Sequence, residues 1–305
     1  MVHVPVMVTE VVKLLLTQRC NTVFDGTVGG GGHTEALLRA SDSVRVIGVD
    51  RDKSAVAAAR RRLERFGDRV ALAEASYTDI GTVLDGSGTA TRVDGVLLDL
   101  GLSTLQLDDP ERGFSYQNDG PLDMRMGDSG RTARDVIAQS SAQELADAIK
   151  ASGERRGARK IARAIKRAEE VGAMKTTRDL KRSVEEALGR PVSPSRLSRV
   201  FQAIRIVVNG EIENLRLFLD TVFDHVNNGA RLVFISYHSL EDREIKQFFN
   251  HESSECVCPS GTPICVCDHT PRIEKVTRRA LRPSKDEIAD NPRARSAHLR
   301  AAQVL

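Results

Sequence analysis

The stretch Asp25-Gly-Thr-Val-Gly-Gly-Gly-Gly-His33 decides the fold class of this 305-residue chain. It follows a short apolar, β-branched segment, 22–24, and precedes a helical pattern that begins near Thr34. Its five glycines permit positive φ values and let a ligand approach the backbone amides closely. The pattern predicts a buried strand, a ligand-binding turn and a helix, which is the opening unit of an α/β sheet.

Three further apolar segments end in polar or glycine-containing turns in the same way, at 44–49, 70–72 and 93–98. Helical patterns lie between them, and the clearest, 53–66, is rich in good helix formers and closes at Gly67. Strands that alternate with helices predict a parallel sheet with helices on both faces.

The alternation stops after Asp99. Residues 106–131 form a long irregular stretch, and the pattern from 132 to about 188 is helical with no strand candidate. We therefore predict a sheet domain made of 1–105 and 206–305, interrupted by a basic, helical substrate-recognition domain at 106–205.

The strand pattern returns in the last third of the chain. A turn at Asn227-Asn-Gly229 is predicted to lead into a strand at 231–235, after an amphipathic helix near 213–226. Segments 272–277 and 298–304 predict two final strands, paired at the sheet edge.

The net charge of +3 is unevenly distributed along the chain. Residues 151–210 hold 15 Lys and Arg against 6 Asp and Glu, a local charge of +9, so the remainder carries 3 − 9 = −6. One predicted helix has an apolar stripe at Ala158, Ile161, Ala162 and Ile165, and basic residues face the other way. Those residues are Arg155, Arg156, Arg159, Lys160, Arg163, Lys166 and Arg167. This face indicates polyanion binding, and a merely solvated face is the alternative.

Composition excludes several classes of protein. Apolar residues make up 40% of the chain and charged residues 29%, which is typical of a globular fold. The first ten residues lack a secretory signal pattern, and no stretch reaches the roughly 18 apolar residues of a membrane span. We expect a cytoplasmic protein with no membrane partner.

The glycine turn does not match a dinucleotide fingerprint. In G-x-G-x-x-G the last glycine would have to fall on Thr34 or Glu35. Asp50 ends the second strand, where a carboxylate can accept hydrogen bonds from ribose hydroxyls. A sulfonium cofactor carries no phosphate and tolerates carboxylates, so Asp25, Glu35 and Asp50 favour S-adenosylmethionine over a pyrophosphate.

Six motifs resemble those of the bacterial 16S ribosomal RNA N4-cytosine methyltransferases, the MraW-like family. They are Asp25-Gly-Thr-Val-Gly-Gly-Gly-Gly-His33, Leu98-Asp-Leu-Gly101, Gln106-Leu-Asp-Asp-Pro-Glu-Arg-Gly-Phe114, Asp119-Gly-Pro-Leu-Asp-Met-Arg-Met126, Tyr237-His-Ser-Leu-Glu-Asp-Arg243 and Asn291-Pro-Arg-Ala-Arg-Ser296. The resemblance runs from His3-Val-Pro-Val-Met7 to the last strand. It implies a Rossmann-like class I methyltransferase sheet with an inserted all-helical domain. It also implies methylation, from S-adenosylmethionine, of the exocyclic N4 amine of a cytosine in the decoding centre (P site) of 16S ribosomal RNA within the small ribosomal subunit.

The resemblance also assigns cofactor contacts, residue by residue. They are Gly31, Gly32, His33, Asp50, Tyr77, Asp99 and Gln106. Two positions depart from the common pattern. Many members have Ser-Ser-Pro-Gln where this chain has Ser103-Thr-Leu-Gln106, which bears on how Gln106 is held. Phenylalanine is common at position 77, and Tyr77 can still cover an adenine ring.

Three residues are candidate catalytic groups. The exocyclic nitrogen of cytosine is a poor nucleophile, so an enzyme must align it and accept its hydrogen bonds. Asp99 is the candidate acceptor, although Leu-Gly-Leu follows it instead of the Pro-Pro-aromatic sequence of many amino-group methyltransferases. Tyr237 and His238 can stack on or hydrogen-bond the base. A purely cofactor-binding Asp99, and a supporting role at the sheet edge for Tyr237 and His238, are the alternatives.

RNA contacts are expected on aromatic and basic side chains, because the target base must leave its stack to enter a pocket. Phe114, Tyr116 and Tyr237 are the candidates for receiving the base, with core packing as the alternative for Phe114. Phosphates are expected on Arg112, Arg125 and the basic helix, with Arg159 and Arg163 as its test positions.

Four of the five cysteines form two C-x-C pairs, Cys256-Val-Cys258 and Cys265-Val-Cys267, with His251 and His269 nearby. The spacing is tighter than the common C-x2-C of zinc sites, so structural zinc and free thiols both stay open. No metal is expected in the chemistry.

Two other functions compete with a methyltransferase, which is the predicted enzyme class. A nicotinamide-dependent oxidoreductase would need the missing fingerprint. A non-catalytic ribosome-assembly factor would predict a damaged cofactor turn, whereas Gly31, Asp50 and Asp99 are all present. The sequence leaves open whether the protein forms a homodimer.

Overall fold

The computed structural model describes residues 5–189, 192–259 and 265–305. The chain divides into two compact units. The first, the sheet unit, comprises Met1–Gly101 and Asn214–Leu305, and the second, the helical unit, comprises Leu102–Glu213. The sequence predicted an inserted helical domain at 106–205, which lies within the range of the helical unit.

The sheet unit contains a seven-stranded sheet in the order β3-β2-β1-β4-β5-β7-β6. Its strands are β1 Thr22–Asp25, β2 Arg45–Asp50, β3 Val70–Glu74, β4 Val93–Asp99, β5 Val226–Ser236, β6 Ile273–Lys275 and β7 His298–Val304. The first five strands pair in parallel, while β7 runs antiparallel to β5 and β6 antiparallel to β7. The predicted strands and the edge pair are confirmed.

The sheet is buried on both faces, because successive side chains of each strand point in opposite directions. Phe24 and Phe234 pack in a cluster with Phe218. Val23 and Val233 pack in the cluster on the other side. These alternating apolar side chains explain why the strands read as nearly continuous hydrophobic runs.

Six of the described helices lie wholly in the sheet unit, and the second, third and fourth of them connect successive parallel strands. They are α1 Val8–Leu15, α2 Gly32–Ala40, α3 Lys53–Leu63, α4 Ile80–Ser87, α12 Ser239–Glu252 and α13 Lys285–Asp290. The backbone N–H of Ser54 donates to the Asp52 side chain at 2.9 Å, which caps the start of α3. This helix ends at Leu63, earlier than predicted, and a 3-10 turn follows that contains Gly67 at φ 52°.

The predicted turn at Asn227-Asn-Gly229 is wrong, since these residues lie inside β5. The register with β4 shifts there: Val93 pairs with Val226, and Gly95 pairs with Arg231. Gly229 has φ 84°, and the Asn227 side-chain amide donates to Asp94 at 2.8 Å. The segment is therefore a bulge in a longer strand, and a bulge uses the same glycine and asparagine chemistry as a turn.

The helical unit is built mainly of helices. They are α5 Thr104–Asp108, α6 Ala133–Gln139, α7 Ala142–Ala151, α8 Ala158–Glu170, α9 Thr177–Leu188 and α10 Pro194–Asn209, and α11 Glu211–Thr221 crosses into the sheet unit. Capping boxes begin α6, α7 and α9, each with a Ser or Thr side chain and an acidic residue three positions later. The predicted apolar stripe of α8 is buried in the core of this unit.

Two glycines hold the irregular stretch before α6 together. A Cβ atom on Gly113 would lie 2.0 Å from the backbone oxygen of Pro121, and one on Gly120 would lie 1.9 Å from that of Pro110. Only glycine permits this backbone contact. The segments around 110–113 and 120–124 therefore brace each other, which gives two of the motifs a structural role.

None of the described helices is both long enough and apolar enough to cross a membrane.

Candidate active site

Asp25 joins the end of β1 to the glycine turn. One carboxylate oxygen accepts a hydrogen bond from the Thr34 hydroxyl at 2.7 Å, and the other accepts from the Thr27 amide at 3.2 Å. The residue is 1% exposed, and burial raises the pKa of its carboxyl group above the ordinary value. Asp25 therefore holds the two ends of the glycine turn through these hydrogen bonds.

The turn needs glycine at some positions and leaves space at another. Gly29 and Gly31 have φ values of 50° and 79°, which disfavour any side chain. A Cβ atom on Gly26 would lie 2.4 Å from Leu98, whereas one on Gly30 would meet nothing within 4 Å. The turn is thus tightly packed at Gly26, against Leu98, and open at Gly30.

Asp50 stands at the carboxyl end of β2 and is tied to the turn. Its oxygens accept hydrogen bonds from the Gly29 and Asp52 amides, each at 2.9 Å. Burial raises the pKa of Asp50 from 3.8 to about 6, even though the two amide hydrogen bonds act in the opposite direction. Each carboxylate oxygen can accept two hydrogen bonds, so the side chain keeps acceptor capacity for a ligand hydroxyl.

Asp99 and Tyr237 meet at the ends of the adjacent parallel strands β4 and β5. The Tyr237 hydroxyl donates to Asp99 Oδ1 at 2.9 Å. The Asp99 amide donates to the Thr27 hydroxyl oxygen at 2.6 Å, which fixes Asp99 to the glycine turn. This edge lies where the strand order reverses between β1 and β4, the usual ligand site of open α/β sheets.

Tyr237 is a neutral phenol in this setting. Burial, together with the charge and the hydrogen bond of Asp99, raises its pKa well above the ordinary value. A Cβ atom on Gly101, which has φ 103°, would lie 3.4 Å from the Tyr237 ring, so the glycine allows a close approach. Tyr237 can therefore orient the Asp99 carboxylate, but it is a poor base.

His33 lies on the other side of Asp99. Its Nδ1 atom is 3.7 Å from Asp99 Oδ2, and its Nε2 atom is 2.8 Å from the backbone oxygen of Val6. A carbonyl oxygen accepts only, so Nε2 carries a proton. The buried imidazole is thereby held at a fixed orientation beside the carboxylate.

His238 caps the helix that follows β5. Its Nδ1 atom accepts from the Glu241 amide at 3.3 Å, and its Nε2 atom lies 3.1 Å from Glu241 Oε1. Glu241 in turn accepts from the Tyr237 amide at 3.0 Å. These contacts favour the supporting role for His238 and show that Glu241, which the sequence analysis missed, helps hold Tyr237. The H-S-L-E spacing of a capping box was the available signal.

Tyr77 follows β3 in a short 3-10 turn. Its ring meets the edge of Phe218 at a centroid distance of 5.5 Å, and its Cβ would lie 2.8 Å from a Cβ on Gly26. Packing fixes one edge of this half-buried ring next to the glycine turn.

The residues at this edge fit a sulfonium nucleoside. The space beside Gly30 admits a ligand to the backbone, Asp50 offers oxygens to ribose hydroxyls, and Asp99 brings negative charge to the strand ends. The expectation that Glu35 adds negative charge to the cofactor site is wrong, because ion pairs with Arg39, Arg62 and Arg65 neutralise its carboxylate.

Comparison with known proteins identifies the family of the chain. The model of the MraW methylase family matches residues 1–305. A protein named ribosomal RNA small subunit methyltransferase H from Syntrophotalea carbinolica is 46% identical over 99% of this chain and 98% of its own length. A protein of the same name from Anaeromyxobacter dehalogenans is 44% identical over 99% and 98%. The chain belongs to the MraW methylase family.

The predicted resemblance to MraW-like proteins is thus confirmed. The chain is a methyltransferase, and S-adenosylmethionine is its cofactor, as predicted. Among solved structures, an S-adenosylmethionine-dependent O-methyltransferase from Thermotoga maritima matches 97% of this chain and 63% of its own, at 10% identity and a TM-score of 0.40.

Gln106, a predicted cofactor contact of this MraW-family chain, belongs to the helical unit. Its side chain completes a capping box, since Gln106 Oε1 accepts from the Ser103 amide at 3.1 Å, and its Nε2 lies 3.4 Å from Met126 O. It is 5% exposed. The cap holds Gln106 without the proline that is common in the family.

Arg112 and Arg125, which were predicted to bind RNA phosphates, make hydrogen bonds within the helical unit instead. Arg112 Nη2 donates to the backbone oxygens of Arg125 and Met126 at 2.9 Å. Arg125 makes a two-pronged pair with Asp123, at 2.9 and 2.7 Å. These internal contacts give both arginines a structural role in the described loop.

The predicted base-stacking residues of the helical unit also pack internally. Phe114 is 6% exposed and belongs to the core of this unit, as the alternative interpretation has it. Tyr116 is partly buried and meets Phe201 edge-on at 5.7 Å. The Phe114 ring is therefore not available to stack on an RNA base.

The basic face of α8 is exposed, including Arg159 and Arg163. Lys166 differs, because its ammonium group donates to the backbone oxygens of Ile137 and Ala138. A hollow of about 270 Å³ lies beside the start of α8, and a second of about 380 Å³ lies beside the segment 153–156 that precedes this helix. Their basic lining residues are Lys150, Arg155, Arg156, Arg159, Arg196 and Arg199.

Besides Glu241, the sequence analysis missed three residues around these sites. Thr27 anchors Asp99, although its place in the glycine turn was visible. Lys150 and Arg199 line the basic hollows from α7 and α10, and only the packing of three helices brings them to α8.

The pH dependence of cofactor affinity tests Asp50. Its pKa of about 6 in the folded protein means that it becomes protonated as the pH falls below 6 and can no longer accept two ligand hydrogen bonds as a carboxylate. We expect the Kd for S-adenosylmethionine to be flat above pH 7 and to rise by at most about tenfold per pH unit below 6. Calorimetric titration from pH 5 to 8 measures it.

The matched variant is Asp50→Asn, which keeps the size of the side chain. It should bind more weakly than wild type above pH 6 and lose the dependence near pH 6. An unchanged pH profile in this variant would assign the titration to another group.

Proposed function

We propose that this methyltransferase transfers a methyl group to the exocyclic N4 amine of a cytosine in the decoding centre of 16S ribosomal RNA, within the small ribosomal subunit. The hydrogen-bonded pair of Asp99 and Tyr237 carries the proposal, because it places an oriented carboxylate beside the cofactor turn. The MraW family and the names of the relatives support ribosomal RNA as the substrate. The resemblance noted in the sequence supports the choice of the N4 atom.

The chemistry needs an acceptor that is fixed before the reaction begins. S-adenosylmethionine supplies a methyl group on a positively charged sulfur. Asp99 would accept a hydrogen bond from the cytosine amine and stabilise the positive charge that develops on its nitrogen as the new N–C bond replaces the S–C bond. The same carboxylate would then take up the proton that the methylated amine loses, and the demethylated cofactor would leave as a neutral thioether. Tyr237 and the Thr27 anchor hold the carboxylate, so little reorganisation is needed as charge develops.

The basic face of α8 is the proposed phosphate-binding surface of the helical unit. Its exposed arginines, with Lys150 and Arg199, form a cluster of positive charge that suits an RNA backbone. Tyr237 stays as a proposed aromatic contact of the target base, and Tyr116 stays as a proposed RNA contact of the helical unit.

Labelled methyl transfer tests the proposed function. Small subunits that lack methylation are incubated with the protein and labelled S-adenosylmethionine, and the RNA is digested to nucleosides. We expect label in N4-methylcytidine at a decoding-centre position. Label in another nucleoside would overturn the choice of N4.

The same assay separates an enzyme from a non-catalytic assembly factor. An assembly factor would bind small subunits and leave them unlabelled. Protein-free 16S RNA and assembled subunits, compared side by side, show which of the two is the substrate.

A further inference from the structure

The chain contains a cluster of thiols that the proposed methyl transfer does not use. The four-cysteine cluster consists of Cys256, Cys258, Cys265 and Cys267. It lies between the end of α12 and the start of β6, and its sulfur atoms are all within 4.8 Å of one another. Two pairs of residues from separate positions thus converge on one point.

The sulfur spacing fits a single tetrahedral metal ion. The Sγ atoms of Cys265 and Cys267 are 3.5 Å apart, and those of Cys256 and Cys267 are 3.8 Å apart. Four thiolates at about 2.3 Å from one zinc ion stand about 3.8 Å apart, and two ligands of one ion cannot be more than about 4.6 Å apart. A disulfide would need about 2.05 Å, and all four residues are free thiols.

Backbone amides point at the sulfur atoms of the four-cysteine cluster. The Val257 amide donates to Cys267 Sγ at 3.4 Å, and the Val266 amide donates to Cys258 Sγ at 3.5 Å. Such N–H to sulfur bonds stabilise thiolate charge and orient metal ligands. The backbone amide of the middle residue of each C-x-C pair therefore donates a hydrogen bond to a sulfur atom of the other pair.

Apolar burial does not hold these two pairs together. Val257 is 37% exposed and Val266 is 76% exposed. The nearby histidines have other contacts, since His251 Nδ1 meets Glu252 at 2.8 Å and His269 Nε2 meets the His251 carbonyl at 3.1 Å. A donor set of four thiolates remains, in which all four positions of a tetrahedron belong to the protein.

We propose that the four-cysteine cluster binds one zinc ion as a closed structural site. Thiolate ligands in tetrahedral geometry select zinc over magnesium or calcium, and the narrow spacing suits one ion better than a cluster of several irons. The ion fixes the connection between α12 and β6, and with it the edge strand of the sheet. No coordination position is left for substrate, so the ion takes no part in methyl transfer.

Metal analysis of the whole protein tests this site independently of methyl transfer. The protein is purified in reducing buffer without chelator and measured by inductively coupled plasma mass spectrometry. We expect about one zinc per chain, and we expect cobalt exchanged into the site to show the visible absorption of tetrahedral cobalt thiolates.

The variants Cys258→Ser and Cys265→Ser each remove one ligand from a different pair. Both should lose most of the zinc, and a protease should cut the segment after α12 faster. The control is Cys20→Ser, which removes the remaining cysteine, buried in the sheet unit, and should keep one zinc per chain. Reduced wild-type protein without zinc that takes up none on addition, or that holds iron instead, would overturn the proposal.

Discussion

Replacing Asp99 by asparagine is expected to lower kcat about 100- to 1,000-fold, the usual cost of removing one preorganised electrostatic group from an active site. The side chain keeps its size and can still accept the Tyr237 hydrogen bond, so the charge is the main change. The Kd for S-adenosylmethionine should rise much less than kcat falls. Single-turnover methyl transfer and calorimetric binding, measured separately, report the two effects.

Two further variants make this result specific. Tyr237→Phe removes only the hydroxyl that orients Asp99, and it should lower kcat by about tenfold, since the carboxylate stays. Asp94→Asn makes the same chemical change at the opposite end of β4, where Asp94 accepts from the Thr22 amide at 3.0 Å, and should leave kcat near the wild-type value. If Asp99→Asn weakened only cofactor binding, Asp99 would be a cofactor ligand and not the acceptor. Retained turnover would remove both roles.

The sheet could be predicted from the sequence because its signals are local. Buried parallel strands read as β-branched apolar runs, and the glycine turn after β1 marks the strand-to-helix connection whatever the rest of the chain does. The one wrong turn has a local cause as well. Asn227 and Gly229 suit a bulge inside β5 as well as a turn before it, and only the pairing partner of the strand decides between them.

The candidate site was only partly predictable, because its key contacts join distant parts of the chain. The sequence indicated Asp99 and Tyr237 separately, but their hydrogen bond spans 138 positions and depends on the register of β4 against β5. The burial and the ion pairs of individual side chains were also difficult to predict. Nothing local to Phe114 shows that its ring lies in the core. Of the three arginines that pair with Glu35, only Arg39 is a local neighbour, four positions along α2, and Arg62 and Arg65 come from a distant part of the chain.

Reversing two charges on α8, in the double variant Arg159→Glu with Arg163→Glu, is expected to weaken binding to small-subunit RNA by about 10- to 100-fold at physiological salt. Both side chains are exposed on the basic face, so the fold should survive. Each phosphate contact contributes roughly 0.7 to 0.9 to the slope of log affinity against log salt, so losing two should flatten that slope by about 1.5. Filter binding over a salt series measures both quantities.

The charge-matched control for α8 is Arg278→Glu with Arg279→Glu, which alters two exposed arginines after the edge strand β6. It changes net charge by the same amount, so a purely global effect of charge would weaken RNA binding equally in both double variants. A surface on α8 predicts that only the first variant raises KM for small subunits, while kcat and the Kd for S-adenosylmethionine stay near wild type in both. The two arginines lie in the helical unit and the cofactor turn in the sheet unit, so their effects should separate into substrate binding and chemistry. An unchanged salt slope in the α8 variant would place the phosphate contacts elsewhere, and the lining residues Lys150 and Arg199 would then be the next positions to reverse.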